Sequence, residues 1–573
     1  MVVWNLSDLV SGNVEAELGG LHAKAQRIAR WKPRLARITR AEFSRLLGEL
    51  EKFHVHSAHV FAHVHLRFAE KTNDVKSLAR ESLAEQVGAK IENELRFFSL
   101  WWKRLPAKRA KELGGGREDI SYYLESVRKY RRHTLSDGQE TVIALKDTTG
   151  SSTLMNVYQA MTNAFSYPVT VKGKTKRYTR EELTQFIYGD DANLRRQAYD
   201  ALLDEFRGNR AVLGEVYRST VMDWHHENLS LRKYGSVMGP RNLDNDMPDE
   251  AVDALLSACR KNVGVFQRYY VKKAKTLGVK KLRRYDIYAP LQARESNRSF
   301  DAAKKMVLGV FGAYSARMRE CAQAVFDAGH VHSEVSAGKR DGAFCLSPSP
   351  KVLPYVLLSY TGKLQDVSTL AHEMGHAVHT VLASTHSAFT FHAPLPLAET
   401  ASIFSETMLM RELLKSARGR AREALLVQQM DHLYASIMRQ AFFVEFERAA
   451  HRLVPQGASI DDLDALYVKN LKVQFGGSVK FSDAFRNEWL CIPHIFETPF
   501  YCYAYAFGNL LSLALIGMLD REGLSFMPKI ERVFAWGGSE SPARILKEIG
   551  VDICSERFWQ TGFDVIAQWV DEL

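Results

Sequence analysis

The run of residues 366–379, DVSTLAHEMGHAVH, constrains the fold of this 573-residue chain more than any other stretch. Apolar residues recur in and just after it at helical spacing rather than in alternation, at Val367, Leu370, Ala371, Met374, Ala377, Val378 and Val381. Residues four apart on a helix lie on the same face. The run therefore predicts a helix that presents His372 and His376 to a single ion, with Glu373 beside them.

Two histidines and a glutamate at this spacing are the pattern of a zinc metallopeptidase helix. The plainer alternative is a half-buried helix whose histidines only form hydrogen bonds. A catalytic zinc needs three protein ligands and one open position for water. Glu373 is predicted to act as general base on a zinc-bound water, whose pKa the metal lowers toward about 7.

The third ligand must come from another element, and residues 396–406 offer two carboxylates. Glu399 and Glu406 lie seven residues apart, so they share one face of a predicted helix. Apolar residues surround them, and an unpaired carboxylate there would be costly. We take Glu399 as the third ligand and Glu406 as an acceptor that orients a ligand histidine. The alternative is that the two residues exchange roles.

The sequence excludes the metzincin pattern. That pattern requires a glycine and then a third histidine at set positions after the second histidine. These positions hold His379 and Leu382 here. His379 shares the helix face of the ligands, so it is predicted to support them or to pack beside them rather than to bind the ion.

Composition and charge narrow the class of protein. The chain is 46% hydrophobic and 25% charged, as in ordinary soluble globular proteins, and its length predicts two or three lobes. The formal charge is +11, but the lysines and arginines form short clusters without a recognition motif. Solvated helix faces explain these clusters better than nucleic-acid binding does.

The sequence favours a cytoplasmic protein. No apolar run is long enough to span a bilayer, and the first residues do not resemble a secretory signal. The six cysteines are scattered and show no paired metal-type spacing, which favours free thiols in a reducing compartment.

Most of the chain has helical periodicity, including a helix predicted from about residue 397 to 414. Thr179 is a candidate cap for a helix that starts after it, and Pro248 stands at the start of another. We place a soft domain boundary near residue 180, between an N-terminal helical domain (1–180) and a catalytic domain (181–573). The predicted strands and turns are residues 141–145, 167–171, 172–174, 341–346 and 355–360.

Two of these strands, residues 341–346 and 355–360, come directly before the metal-binding helix and predict a small sheet beside it. An exposed edge strand binds an extended peptide through main-chain hydrogen bonds. Gly342, Ala343 and Phe344 are therefore candidate substrate-binding residues. A purely structural hairpin is the alternative.

The stretch of residues 492–508 contains one histidine, His494, and three tyrosines, Tyr501, Tyr503 and Tyr505. Such a row is usually aromatic packing. The functional alternative is that phenol and imidazole groups donate hydrogen bonds to the oxyanion that forms when a peptide carbonyl is attacked.

Together, the run 366–379, the helix with Glu399 and Glu406, and the segment 494–505 resemble the thimet oligopeptidase and oligoendopeptidase F family of zinc peptidases. The resemblance is nearest to the bacterial oligoendopeptidase F branch. It covers most of the chain, strongly from about 190 to 510.

This resemblance implies a mainly α fold, a large helical ellipsoid with a deep central channel that admits short unstructured peptides and excludes folded proteins. It also implies one zinc ion per chain. By position, the ligands match His372, His376 and Glu399, the base Glu373, and the transition-state donors His494 with Tyr501 or, next, Tyr505. The supporting residues are assigned as Glu406, His379 and Asp366, and Tyr503 joins the substrate-binding residues.

The predicted function is therefore that of a zinc-dependent oligoendopeptidase that hydrolyses short unstructured peptides, with no nucleic-acid or membrane partner. One alternative is a carboxydipeptidase of the same family. Another is a catalytically silent peptide-binding protein, against which the intact Glu373 argues.

Overall fold

The computed structural model of the protein describes residues 4–291 and 297–573. Up to residue 291 its helices are α1 (Val14–Ala29), α2 (Arg40–Glu70), α3 (Val75–Arg104), α4 (Ala107–Gly114), α5 (Ser121–Lys129), α6 (Asp137–Asp147), α7 (Ser151–Asn163), α8 (Arg180–Ile187), α9 (Ala192–Gly208), α10 (Arg210–Trp224), α11 (Gly239–Asp244), α12 (Asp249–Lys261) and α13 (Val263–Thr276). The strands of this part are β1 (Tyr167–Val171), β2 (Lys174–Tyr178) and β3 (Leu282–Arg283).

From residue 297 onward the helices are α14 (Phe300–Tyr314), α15 (Ala316–Asp327), α16 (Leu364–Ala383), α17 (Leu395–Ser416), α18 (Gly419–Leu433), α19 (Arg439–Leu453), α20 (Ile460–Phe475), α21 (Pro493–Glu497), α22 (Tyr503–Glu522), α23 (Met527–Ala535), α24 (Pro542–Glu548) and α25 (Glu556–Asp571). The strands are β4 (Val331–His332), β5 (Phe344–Leu346), β6 (Tyr355–Leu357) and β7 (Val479–Lys480). The predicted mainly α class is confirmed.

The strands form small sheets. β1 and β2 are an antiparallel hairpin, and β3 pairs in parallel with β7. The third sheet has the order β4-β6-β5, with β4 parallel and β5 antiparallel to the central strand β6. β5 is therefore an edge strand of that sheet, and it lies against α16.

The chain divides into two compact units, each built from three segments. Unit 1 consists of Met1–Arg131, Glu295–Glu412 and Met518–Val551. Unit 2 consists of Arg132–Arg294, Leu413–Gly517 and Asp552–Leu573. A functional boundary near residue 180 stays a prediction.

In unit 1, α1, α2 and α3 pack together over a core of leucine and aromatic side chains that includes Leu46 and Trp102. Helix α16 packs against α14, α15 and α23 on one side and against β5 and β6 on another. Its apolar side chains Val367, Leu370 and Met374 are fully buried. The apolar spacing seen in the sequence thus makes α16 a central helix of its unit.

In unit 2, α19 packs against α20, and α25 packs against α12 and α13. This unit also buries an ion pair between Arg284 and Glu488. The Glu488 carboxylate accepts a further hydrogen bond from the Tyr467 hydroxyl at 3.2 Å. The two charges thus offset each other in the interior, although Nε of Arg284 has no hydrogen-bond partner among the described residues.

One predicted strand is wrong. Residues 141–145 lie inside α6. Their β-branched side chains suggested a strand, but Ser136 begins a helix with a capping box to Gln139, and the Thr141 hydroxyl donates to the Asp137 carbonyl. The local cap outweighed β-propensity because no neighbouring strand pairs with this exposed segment among the described residues.

Several other local predictions are confirmed, whereas the strands predicted at 341–346 and 355–360 are shorter, at Phe344–Leu346 and Tyr355–Leu357. The turn at residues 172–174 joins β1 to β2, with Lys172 and Gly173 at positive φ. Thr179 forms a capping box with Glu182 at the start of α8, and Pro248 is the residue before α12. Helix α17 covers the helix predicted at 397–414.

Within the described part of the chain, α22 alone has the length and apolar composition of a membrane-spanning helix, and most of it is buried inside the fold. A core helix has these same properties.

Candidate metal centre

Helix α16 presents two imidazoles on one face. The ring centroids of His372 and His376 are 5.1 Å apart, and the two rings are nearly perpendicular. Oε2 of Glu399, from α17, lies 3.7 Å from Nε2 of each histidine. The structure therefore brings together the three residues that the sequence predicted as metal ligands.

These three side chains fit a zinc ion. Their donor atoms all lie within 4.8 Å of one another. Zinc bonds of about 2.0–2.2 Å in a tetrahedral site place ligand atoms roughly 3.4 Å apart, which is close to the observed spacing. Two imidazole nitrogens and one carboxylate are also a donor set found in catalytic zinc sites, which keep a fourth position open.

Glu406 lies on the other side of the first imidazole. Its Oε2 is 3.4 Å from Nδ1 of His372, and its Oε1 accepts a hydrogen bond of 2.8 Å from the Ser368 hydroxyl. With Nδ1 directed to this carboxylate, Nε2 of His372 is left to face Glu399. The two glutamates of α17 thus contact opposite nitrogens of one ring.

Ser402 adds a contact to the third carboxylate. Its hydroxyl lies 3.2 Å from Oε2 of Glu399 and 2.9 Å from the Glu399 main-chain oxygen. Neither Ser368 nor Ser402 was predicted from the sequence. Their spacing is the signal that was available, since each stands three or four residues from a metal-site residue on its own helix.

Glu373 is 6% exposed and lines a cavity of about 440 Å³ next to the three candidate ligands. The other residues that line this cavity are Ala343, Phe344, Cys345, Ser347, His372, His376, His379, Thr380, Phe391, His392, Ala393, Ala398 and Glu399. A small group in this cavity can therefore reach both the carboxylate of Glu373 and the face on which the histidines converge.

Burial and neighbouring charges perturb the titration of these groups. Burial raises the pKa of Glu373 to about 7, although the His372 charge opposes the shift. Burial alone would lower the pKa of His372, but the hydrogen bond and charge of Glu406 raise it to about 9. Burial and the His372 charge lower the pKa of His376 to about 3.

A glycine allows α16 and α17 to approach closely. A Cβ atom at Gly375 would lie 2.7 Å from the Ala401 carbonyl oxygen, the Ser402 Cα and the Ser405 hydroxyl. No side chain fits at that distance. The glycine inside the His-Glu-Met-Gly-His run therefore brings the helix of Glu399 against the helix of the histidines.

The edge strand β5 borders the cavity. Ala343 and Phe344 line it, and Gly342 precedes them at a φ of 83°. Of the predicted substrate-binding residues, Phe344 is thus the first residue of the edge strand, and Gly342 and Ala343 lead into it. Cys345, which lies in the predicted strand 341–346, also lines the cavity. Ser347, Thr380, Phe391 and His392 line it too, and local sequence patterns gave no signal for these four.

Two predicted supporting residues have contrasting positions. His379 lines the cavity and is 7% exposed, with its ring centroid 5.4 Å from that of Phe534. Asp366 lies at the start of α16, where its carboxylate accepts hydrogen bonds from the main chain and hydroxyl of Thr361 and from the Lys363 main chain. These bonds make Asp366 a helix cap, and a role at the metal centre stays a prediction.

In unit 2, three of the predicted residues form one aromatic cluster. The rings of His494 and Tyr501 are stacked with centroids 6.1 Å apart, and Tyr505 stands edge-on to both. The Tyr505 hydroxyl is 3.4 Å from Nε2 of His494. The structure thus brings the proposed donor groups together with each other.

Tyr503 requires a correction. Its side chain is fully buried, and its hydroxyl accepts a hydrogen bond of 2.9 Å from the Asn245 amide. A phenol enclosed in this way has no surface for a substrate. Tyr503 is a packing residue of unit 2, and alternation along the sequence did not show that it points into the core.

Fold and site together define a class: mainly helical proteins with a His-Glu-x-x-His helix, a converging carboxylate and an adjoining cavity, which is the metallopeptidase pattern. Residues 185–565 match the model of peptidase family M3. The chain belongs to this family and is a peptidase, whose substrates are peptides.

Curated relatives agree with this assignment. The chain is 26% identical over 468 residues to the oligoendopeptidase F homolog of Borreliella burgdorferi, covering 80% of this chain and 78% of the relative. It is 25% identical over 463 residues to oligopeptidase PepF of Bacillus subtilis, covering 79% and 68%.

Solved structures share the fold. A Chlamydophila abortus crystal structure matches with a TM-score of 0.89 at 22% identity, over 100% of this chain and 97% of that one. Oligoendopeptidase-F from Enterococcus faecium matches with a TM-score of 0.73 at 19% identity, over 98% of both chains.

Proposed function

We propose that this protein is a zinc-dependent oligoendopeptidase that hydrolyses short, unstructured peptides. The observation that carries the proposal is the convergence of His372, His376 and Glu399 beside the buried carboxylate of Glu373. These three residues would hold one zinc ion per chain, which would supply Lewis-acid chemistry for the peptide carbonyl and for a water molecule.

Glu373 acts on protons. It takes a proton from the attacking water and passes it to the leaving amine, which is the role of a general base that then becomes a general acid. Its position in the cavity next to the ligands supports this assignment. A carboxylate there also orients the water for attack on the carbonyl carbon.

The aromatic cluster of unit 2 supplies hydrogen-bond donors. His494 and Tyr501, with Tyr505 as the second candidate phenol, donate to the oxyanion that forms on the peptide carbonyl. Their mutual contacts support a common role. The peptide itself pairs with the edge strand β5 through main-chain groups, so that Gly342, Ala343 and Phe344 contact its backbone.

The decisive experiment compares zinc content with turnover. The purified protein should contain stoichiometric zinc and cleave a quenched fluorescent peptide. Glu373→Gln keeps the shape of the side chain but cannot take the proton, so zinc should stay bound while turnover falls about a hundredfold or more. Glu320→Ala, an exposed change on α15, is the control and should match the wild type.

Near-normal turnover of Glu373→Gln would reject the mechanism. Zinc and peptide binding without any cleavage by the wild type would instead identify a silent peptide-binding protein. Mapping the cut sites in a peptide mixture separates the remaining alternative, because a carboxydipeptidase releases only C-terminal dipeptides and an endopeptidase cuts internal bonds.

We also propose a cytoplasmic setting. All six cysteines are free thiols, and Cys259, Cys321, Cys491 and Cys502 are buried. Unpaired thiols throughout a chain are typical of a reducing compartment.

A further inference from the structure

A tight turn in unit 2 carries an unusual residue. The main-chain N–H of Tyr501 donates to the Thr498 carbonyl at 3.1 Å, which closes a four-residue turn with Pro499 and Phe500 at its centre. Phe500 has a φ of 60°. Proline at the second position and positive φ at the third are the pattern of a type II turn.

The third position of a type II turn normally holds glycine or asparagine, because positive φ is unfavourable for a residue with a large side chain. A type I turn would give Phe500 a negative φ and turn the central peptide group the other way. The orientation of the Pro499–Phe500 peptide therefore distinguishes the two turns. Contacts from outside the turn must therefore favour the type II turn that is observed.

Both ends of that peptide are held by side chains. Nε of Arg241 donates to the Pro499 carbonyl oxygen at 3.1 Å, and the Phe500 N–H donates to Oε1 of Glu447 at 2.8 Å. Turning the peptide over would break both hydrogen bonds. The two side chains thus select the orientation that forces Phe500 into the left-handed region.

Among the described residues, the Glu447 side chain forms no hydrogen bond other than the one to the Phe500 N–H. It is fully buried, and its second oxygen, Oε2, has no hydrogen-bond partner among the described residues. Burial raises its pKa to about 8, while the Phe500 N–H opposes the shift. A buried carboxyl is unfavourable unless its polar atoms are used. The polar contact that it makes is with the turn.

The Phe500 side chain is enclosed as well. It is fully buried, with its ring centroid 4.6 Å from that of His451 and 6.0 Å from that of Trp224. The packing of the Phe500 ring and the two hydrogen bonds to the Pro499–Phe500 peptide together favour one conformation of the turn. Strained backbone that is fixed from several sides is characteristic of functional sites.

The turn connects the members of the aromatic cluster. Thr498 donates its N–H to the His494 carbonyl at 2.8 Å, and Ala504 donates to the Tyr501 carbonyl at 3.0 Å. The turn therefore lies between the short helix of His494 and the helix of Tyr505. A flipped central peptide would change the path of the chain at Tyr501, and with it the stacking on His494.

We propose that Arg241 and Glu447 are positioning residues, which hold the Pro499–Phe500 peptide in the type II orientation and so fix the Tyr501 phenol against the His494 imidazole. Their effect on catalysis rests on the proposed role of Tyr501 and His494 as oxyanion donors. Their effect on the turn does not depend on that role.

The test uses full-length protein with 3-fluorotyrosine at position 501 and compares two substitutions of one residue. Glu447→Ala removes the acceptor, whereas Glu447→Gln keeps a carbonyl oxygen in the same place and resembles the protonated acid. Glu445→Ala is the control, since that residue lies on the same helix but pairs with Arg260. Arg241→Ala releases the other end of the peptide at a position that is less buried than Glu447, since 16% of the Arg241 side chain is exposed. This variant serves if Glu447→Ala does not fold.

We expect one ¹⁹F resonance from the wild type, Glu447→Gln and Glu445→Ala, and a shifted or divided resonance from Glu447→Ala and Arg241→Ala. With a quenched peptide, kcat of Glu447→Ala and Arg241→Ala should fall about 10- to 100-fold, as expected for a misplaced catalytic group. KM should change little, zinc content should not change, and Glu447→Gln should restore kcat.

A wild-type resonance in both Glu447→Ala and Arg241→Ala would overturn the proposal. A displaced resonance with unchanged kcat would support the proposal that Arg241 and Glu447 position Tyr501. It would reject the proposal that this positioning affects catalysis. If the wild-type protein cleaves no peptide, the proposed function fails, and the ¹⁹F comparison still decides whether the two residues hold the turn.

Discussion

Nδ1 of His372 lies 3.4 Å from Oε2 of Glu406, on the opposite side of the ring from Glu399. This contact predicts that Glu406 orients the imidazole without binding the ion. Glu406→Ala should weaken zinc binding about 10- to 100-fold, whereas Glu399→Ala should lose the ion under the same conditions. Competition with a chelator measures both affinities.

Glu320→Ala is the matched control and should bind zinc like the wild type. The roles of the two glutamates would have to be exchanged if Glu399→Ala kept stoichiometric zinc at wild-type affinity while Glu406→Ala lost it.

Gly375 should be intolerant of even one methyl group. Its added Cβ would meet the main chain of α17 at 2.7 Å, so Gly375→Ala should push the two helices apart and destabilise the protein by about 1–3 kcal/mol. Zinc affinity should fall too, because Glu399 moves with α17. Denaturant unfolding and zinc titration measure the two effects.

The control for this change is Gly309→Ala on α14, where a Cβ meets nothing within 4 Å. Alanine is the better helix former there, so stability should rise by a few tenths to about 1 kcal/mol. Equal effects at the two glycines would mean that close helix packing does not explain Gly375.

His332 should make unit 1 sensitive to acid. It is 4% exposed, and its Nδ1 accepts a hydrogen bond of 3.0 Å from Nζ of Lys339. Burial and the Lys339 charge lower its pKa from the ordinary 6.5 to about 4. Between pH 4 and pH 6.5, His332 is protonated in the unfolded chain and neutral in the folded chain. The free energy of unfolding therefore rises with pH, and this contribution is lost as pH falls from 6.5 toward 4.

The difference between the two pKa values corresponds to about 3 kcal/mol at most. In His332→Gln the fall of Tm between pH 6.5 and pH 4 should therefore be smaller than in the wild type, whatever the change at neutral pH. His432→Gln, at an exposed position, should keep the wild-type slope. An unchanged slope in His332→Gln would contradict the prediction.

Peptide length should matter more than peptide sequence. A substrate held at β5 by its main chain is selected only weakly through its side chains. A folded protein would have to open locally, at several kcal/mol, before a strand could pair there. We expect cleavage of peptides of about five to twenty residues and none of the same sequence inside a stable domain.

The measurement compares one cleavable peptide free in solution and grafted into a rigid loop of a folded carrier. The same peptide at the flexible terminus of that carrier is the control for size alone. Equal rates for the free and the loop-grafted peptide would mean that the site is open and would reject the predicted channel.

The sequence by itself determined the features that one element carries. Helical spacing fixed α16 and the common face of His372 and His376, because side chains four apart meet on any helix. The two strands before it, β5 and β6, and the cap at Thr179 followed from equally local signals. The resemblance of most of the chain to a known family of peptidases then indicated which family the protein belongs to.

Tertiary structure decided what depends on contacts between distant segments. Glu399 and Glu406 share a face of α17, and only the packing of α17 against α16 decides that Glu399 faces Nε2 and Glu406 faces Nδ1 of His372. In the sequence, Tyr503 resembles the nearby Tyr501 and Tyr505, but in the structure its side chain is buried in the core. Phe500 adopts positive φ because Arg241 and Glu447, both more than fifty residues away along the chain, hold its peptide. Spacing along a chain describes one helix or strand at a time, whereas these choices depend on which surfaces come together when the chain packs.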